Sequence, residues 1–370
     1  MLDSIWRIIA IPLGFLLKYC YIFVNDILHL PLPYVFAVFL LALIINILLF
    51  PFSLKQQRTT AIASAYKPMI DEINQKCADN RKKRDEELAK LEKEFGYKPI
   101  AGGLQILIQF PIIFGLIEVI NRPLSYMLRL PEEFVAELSS VTANLITDVT
   151  GLSATEAAEQ ISFTLLGRNI ETKAIGQIKN NPGAFSEMIN GNPLWADEIK
   201  QIADLKTSIG PIDFYTIPRF EWSWMILIPF FLVVTTILSS FISMKNSSGF
   251  HDRNSVRSGI LMMALSGVMF ALLSFISPSG FSLYWGISNL LVIVQSFILK
   301  KICNANTIIA EQELKIEAKK QAAIDARTVE VRSEDGTVEL KELSEEDIAE
   351  IRLKRAMELD MKRYEDNIDR

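Results

Sequence analysis

Tyr284, Ser288 and Gln295 recur on one side of the apolar run PSGFSLYWGISNLLVIVQ, and Trp285 and Asn289 lie on the adjacent side. These groups donate and accept hydrogen bonds without carrying charge, so the chemistry they offer is recognition rather than bond making. An amide or hydroxyl facing hydrocarbon is costly unless partnered. The run therefore either seals against neighbouring helices or borders a wet cavity. The pattern repeats elsewhere. Asn46, Ser53 and Gln57 fall at i, i+7 and i+11, one helical face. Gln105 and Gln109 sit one turn apart in GGLQILIQFPIIFGL, Thr235, Ser239 and Ser243 follow at successive i+4 steps, and Ser266 and Ser274 are eight apart. One such stripe is explained by hydrogen bonding between membrane helices. Five stripes together favour a hydrated groove. The candidate groove residues are Asn46, Gln105, Gln109, Thr235, Ser239, Tyr284, Trp285 and Asn289. Tyr284 and Trp285 also fit interfacial anchoring, the common use of aromatics near a membrane surface.

Covalent chemistry finds little to work with. The two histidines, His29 and His251, lie outside the apolar runs, and Glu118 is the single acidic residue within them. A membrane-embedded hydrolase would need paired carboxylates, an HExxH helix or a Ser–His arrangement. Cys20, Cys77 and Cys303 match no metal or redox spacing, and no P-loop pattern is present. The expectation is a protein with no catalytic residue, metal or cofactor.

Half of the 370 residues are hydrophobic, which points to several membrane spans. The net charge of −5 calls for no nucleic-acid partner. Five segments are long enough to cross: 32–52, 103–128, 222–244, 258–277 and 281–299. Their flanks set the orientation. Residues 54–101 hold 11 basic and 8 acidic residues, whereas 129–220 hold 7 basic and 12 acidic ones. Lys245, Arg253 and Arg257 lie in the connection after the third span, and Lys300 and Lys301 close the last. The basic segments are expected in the cytoplasm, with the N-terminus outside and the C-terminus inside.

The predicted organisation is an interfacial helix over 1–31, a first span over 32–53, and a cytoplasmic helical hairpin over 54–101. A second span covers 102–128, an extracytoplasmic helical insertion 129–220, three further spans 221–300, and a charged cytoplasmic tail 301–370. Arg7, Pro12, Gly14 and Lys18 interrupt the first apolar stretch, which favours an interfacial helix and leaves a further span as its rival. Ala78-Asp79-Asn80 marks the hairpin turn, Ser153 with Glu156 has capping-box spacing, and Pro182-Gly183 marks a break. The mixed-sign tail reads as solvated helix, with Ser344 capping a final charged one. Glu118 and Arg122 are spaced for an i,i+4 ion pair.

In order along the chain, LLFPFSLKQQR (48–58), the hairpin, GYKPIAGGLQILIQFPIIFGL (96–116), IPFFLVVTTILSSFISM (228–244) and PSGFSLYWGISNLLVIVQ (278–295) resemble the YidC-type membrane protein insertases of the Oxa superfamily, in their Gram-positive form. The resemblance covers the spans and hairpin. It implies an all-α polytopic protein of the bacterial plasma membrane, with five core helices around a polar groove open to cytoplasm and lipid and closed outward. It further implies an insertase and chaperone for nascent membrane proteins that works without nucleotide or covalent chemistry. The nascent chain and the bilayer are its partners, and action beside the Sec translocon or the ribosome is left open. The sequence departs from the family twice. Asn46 stands where a basic residue is usual, five positions before Pro51, and Ser239 stands where a larger amide is common. The alternative is a secondary transporter of a small solute, but five spans with one large insertion do not divide into two repeats.

Overall fold

The computed structural model describes residues 2–96, 104–150, 170–246, 253–325, 328–332 and 338–342. Helix α1 spans Leu2–Ile22 and continues into a π-turn at Phe23–Ile27. Helix α2, Pro33–Ala65, is one 33-residue helix with Pro51 inside it. The segment from the first expected span into the start of the expected hairpin is therefore a single rod. Its leucines and isoleucines carry it through the missing Pro51 donor, a loss that membrane helices tolerate.

Helices α3 (Lys67–Lys76) and α4 (Arg81–Phe95) form the expected hairpin. Asn80 caps α4 by accepting from the Lys83 amide at 3.1 Å, and Gly96 ends it in the left-handed conformation at φ 78°. Helix α5 spans Leu104–Asn121, followed by a π-turn at Leu124–Leu128. The insertion contains α6 (Glu132–Thr150), α7 (Ile170–Asn180), α8 (Ser186–Gly191), α9 (Ala196–Ala203) and a minimal antiparallel pair, β1 (Ser208–Ile209) with β2 (Ile212–Asp213). The expected break at Pro182 separates α7 from α8. Ser153 and Glu156, assigned to a capping box, lie outside the described residues, as does Ser344.

Three long helices follow: α10 (Leu227–Asn246), α11 (Arg253–Ile276) and α12 (Ser279–Ile302). Helix α13 (Ala305–Asp325) and a hairpin of β3 (Thr328–Arg332) with β4 (Val338–Glu342) complete the described chain. That hairpin corrects the expectation of an entirely helical tail. Val329, Val331, Val338 and Leu340 alternate with charged or polar residues, which is the period of a strand.

By length and composition Arg7–Ile27, Pro33–Ala65, Trp224–Lys245 and Ser279–Ile302 can each cross a membrane, and Pro111–Asn121 and Met263–Ile276 are shorter apolar helices. The protein is an all-α polytopic membrane protein with two small strand pairs. Helix α1 is thus long and apolar enough to cross, although interfacial placement was expected for it. The chain divides into two compact units, 1–61 with 100–305, and 62–99 with 306–370.

In the first unit α1 packs along α5 and its π-turn, and α12 packs along α10, which also contacts α11. With little hydrophobic drive between helices in lipid, close contact needs small residues. Gly286 of α12 meets that need: the Phe231 ring fills the space a side chain would occupy. The insertion is anchored by Glu171, whose Oε2 accepts from the Leu124 and Ser125 amides at 2.8 and 3.0 Å and whose Oε1 accepts from the Ser125 hydroxyl at 2.6 Å. The Lys206 amide adds a second anchor by donating to the Tyr21 hydroxyl at 2.9 Å.

In the second unit Ala65, Tyr66 and Ile316 form a small buried cluster with Met69, Ile70, Phe95 and Ile309 against it. Helix α13 is therefore packed on the hairpin helices rather than solvated all round.

Candidate functional site

The start of α12 is held by the end of the insertion. The first amides of a helix have no partner within it. Here the Ser279 amide and hydroxyl both donate to the Thr216 carbonyl at 3.0 and 2.8 Å, and the Gly280 amide donates to the Phe214 carbonyl at 2.6 Å. Tyr34, at the start of α2, stacks on Phe214 at 5.7 Å and tilts against Tyr215 at 5.2 Å. Gly280 is required by this closeness, since a Cβ there would stand 2.6 Å from the Tyr34 hydroxyl and 3.2 Å from the Phe214 carbonyl oxygen.

One consequence is a gradient along the helices. Every residue of α12 from Ser279 to Ile287 is buried, whereas Ser288, Asn289 and Gln295 are partly exposed. Helix α10 behaves alike, with Thr235, Thr236 and Ser239 buried and Ser243 exposed. On α2 Tyr34, Ala37, Val38, Leu41, Ala42 and Ile45 are buried, while Asn46, Ser53 and Gln57 are half-buried. The polar positions open progressively away from the 214–216 segment.

The polar side chains are also paired. Asn46 Nδ2 donates to the Ala42 carbonyl at 2.8 Å and to the Ser288 hydroxyl at 3.2 Å, joining α2 to α12. Asn289 Nδ2 donates to the Thr236 and Thr235 hydroxyls at 2.9 and 3.4 Å, joining α12 to α10. Thr235 and Thr236 themselves donate to carbonyls of their own helix, and Ser239 donates to the Thr236 carbonyl at 3.1 Å. Trp285 stacks against Phe270 of α11 at 4.3 Å and Phe281 at 6.1 Å, and Tyr284 is buried. Of the expected site residues, Asn46, Thr235, Ser239, Tyr284, Trp285 and Asn289 thus sit on α2, α10 and α12 with Asn46 and Asn289 the more open. Gln105 and Gln109 lie on α5, with side chains outside the described residues. Thr236 and Ser288 also belong to these contacts. Ser288 lay on a noted stripe, but Thr236 had no signal, because its role comes from an amide 53 residues away.

The charges gather elsewhere. Arg122 Nη1 pairs with Glu118 Oε1 at 3.2 Å, the expected i,i+4 pair, and Tyr126 donates to the same oxygen at 3.4 Å. Lys18 Nζ donates to the Leu128 carbonyl at 3.1 Å. Arg7, Arg122, Arg129 and Glu132 border a cavity of about 460 Å³ between α1 and α6. In the insertion, burial pushes the Glu171 carboxyl above its ordinary range, against the opposing pull of its Ser125 hydrogen bonds. Among the described residues no group of three His, Cys, Asp or Glu side chains could hold a metal.

A family model described as 60Kd inner membrane protein matches residues 25–306, which takes in α2 through α12 with the hairpin and the insertion. The chain belongs to this family, the YidC/Oxa group. Proteins named membrane protein insertase YidC are similar to it. The one from Treponema denticola is 25% identical over 280 residues, covering 75% of this chain and 36% of that protein. The one from Clostridium perfringens is 36% identical over 91 residues, 25% of this chain and 38% of that protein. That of Nitratidesulfovibrio vulgaris is 32% identical over 112 residues, 30% of this chain and 20% of that protein. The matches thus span well under half the length of these curated relatives. As a YidC-type chain with several apolar helices, it is a multi-pass membrane protein.

Proposed function

We propose that this chain is a membrane protein insertase and chaperone. It admits the hydrophilic end of a nascent membrane protein between α2, α5, α10 and α12 and releases the apolar segment sideways into lipid. The observation that carries the reading is the one-way gradient of burial, in which polar stripes are closed beside Phe214–Thr216 and open towards the hairpin end of α2. The balance of basic and acidic segments supports an open end in the cytoplasm, the insertion outside and the C-terminus inside. Carrying one charged group across hydrocarbon costs about 2.5–3.5 kcal/mol even on the lenient insertion scale. A polar notch reaching part-way through shortens the dry path, and no nucleotide, metal or covalent step is needed.

In this reading Asn46 and Asn289 meet the guest first, and α5 contributes Gln105 and Gln109 as further proposed groove residues. Thr235, Ser239, Tyr284 and Trp285 form the closed end. The pairs Asn46–Ser288 and Asn289–Thr236 are exchangeable resting contacts: each amide gives up a neutral hydrogen bond for one to the guest, so entry leaves no buried polar group unpaired. The hairpin receives the emerging chain.

The test is site-specific photocrosslinking of a stalled nascent chain to full-length protein in membranes. Crosslinks are expected at positions 46 and 109 and at positions 239 and 285 on deeper entry, with none at 281. Equal yields at 46 and 281 would remove the groove. Vesicles with and without Sec translocon and ribosomes distinguish independent insertion from assisted insertion. Removal of 60–95 with the spans still folded should abolish it.

A further inference from the structure

Helix α13 lies almost wholly beyond the residues that match the family, and it supplies an unexpected set of contacts. Tyr66 is 2% exposed, and its hydroxyl donates to the Phe95 carbonyl at 2.8 Å. That bond ties the start of α3 to the end of α4, closing the base of the hairpin opposite its Cys77–Asn80 turn. The same hydroxyl accepts from Gln312 Nε2 of α13 at 2.8 Å. Lys319 Nζ stands 3.5 Å from the Glu94 and Phe95 carbonyl oxygens. Those carbonyls are the negative end of the α4 dipole, where a cation is favoured.

Ile309, Gln312, Ile316 and Lys319 recur at i, i+3, i+7 and i+10, one face of α13. Both apolar members of that face join the cluster containing Ala65 and Tyr66. The face is therefore matched to the hairpin base in shape, hydrogen bonding and charge at once.

We infer that Tyr66 and Gln312 are positioning residues, through which α13 serves as the third helix of the hairpin unit and fixes the hairpin for receipt of a nascent chain. The step from restraint to receipt rests on the insertase reading above.

Two measurements on full-length protein in vesicles test it: amide hydrogen exchange over Glu92–Gly96, and insertion of a reporter membrane protein. Gln312→Leu keeps the side-chain volume and removes the donor. Exchange should rise about fivefold, the effect of losing one net hydrogen bond, and the insertion rate should fall with reporter affinity held. Tyr66→Phe should do the same, and the double variant should be no worse than Tyr66→Phe. Truncation after Asn304 should release the hairpin fully, whereas truncation after Asp325 should leave exchange and insertion as they were. Unchanged exchange on truncation after Asn304 would overturn the contact. Faster exchange with unchanged insertion would overturn the positioning role. Failure of the intact chain to insert any reporter would sink the insertase reading, and the positioning role with it, while the exchange result would still decide the contact.

Discussion

The side-chain amide of Asn289 on α12 reaches the hydroxyls of both Thr235 and Thr236 on α10, so one donor group bridges two neighbours on the facing helix. The threonines also donate to carbonyls of their own helix, which leaves their oxygen lone pairs free to accept. Polar contacts of this kind in membrane proteins have a modest net value, because the separated helices find other partners.

Replacing Asn289 with Leu should therefore weaken the α10–α12 contact by no more than about 1–2 kcal/mol. A double-mutant cycle with Thr236→Val should return a coupling of about 0.6 kcal/mol. Steric-trap unfolding in bicelles measures both. A coupling near zero would show that the bond is not formed in the membrane.

Asn46 presents a neutral amide where the family commonly has a base. On the proposed insertase reading, Asn46→Leu should lower insertion of reporters with hydrophilic tails, since it removes a side-chain donor that the guest would meet. Asn46→Arg should raise insertion of acidic-tailed reporters over basic-tailed ones, and more so at low ionic strength. The ratio of the two reporters inserted into vesicles at two salt concentrations reads this directly.

Gly280 has no room for a methyl group between the Tyr34 hydroxyl and the Phe214 carbonyl. Gly280→Ala should cost about 1–3 kcal/mol through overpacking. Tyr34→Phe in the same chain should recover part of that loss by removing the nearer atom, leaving the Phe214 carbonyl as the remaining obstacle. Thermal unfolding of the three variants in detergent compares them.

Glu171 holds the insertion to the turn after α5, and burial raises its carboxyl above the ordinary range. A raised folded-state value means that the folded protein holds the proton more tightly than the unfolded chain. The contribution is thus fully present below the ordinary carboxylate pKa of about 4.3 and is lost as pH rises through the raised value. Protection of the Leu124 and Ser125 amides, taken against their intrinsic exchange rate at each pH, should fall across that interval in the native chain. Glu171→Gln, which keeps an acceptor oxygen and cannot titrate, should abolish the pH dependence.

Apolar helices, the turn between α3 and α4 and the Glu118–Arg122 pair were legible in the order of residues, because each depends on neighbours within about four positions. An apolar run long enough for hydrocarbon, Asn80 capping α4, and opposite charges at i,i+4 are local matters. The polar stripes were legible as stripes for the same reason. Which partner each would find was not: Asn289 meets Thr236, a residue on no expected stripe, and Trp285 lies against Phe270 because α11 and α12 pack there. The role of the insertion's last residues was equally hidden, since Thr216 and Phe214 act by satisfying amides more than 60 positions away. The tail was misread for a related reason. Its mixed charges suggested a helix surrounded by water, but a face of Ile309, Gln312, Ile316 and Lys319 becomes meaningful only once Tyr66 is there to receive it. Chain-local energetics are written in short stretches of sequence, whereas contacts between distant segments come into being only when packing brings them within the few ångströms over which a hydrogen bond acts.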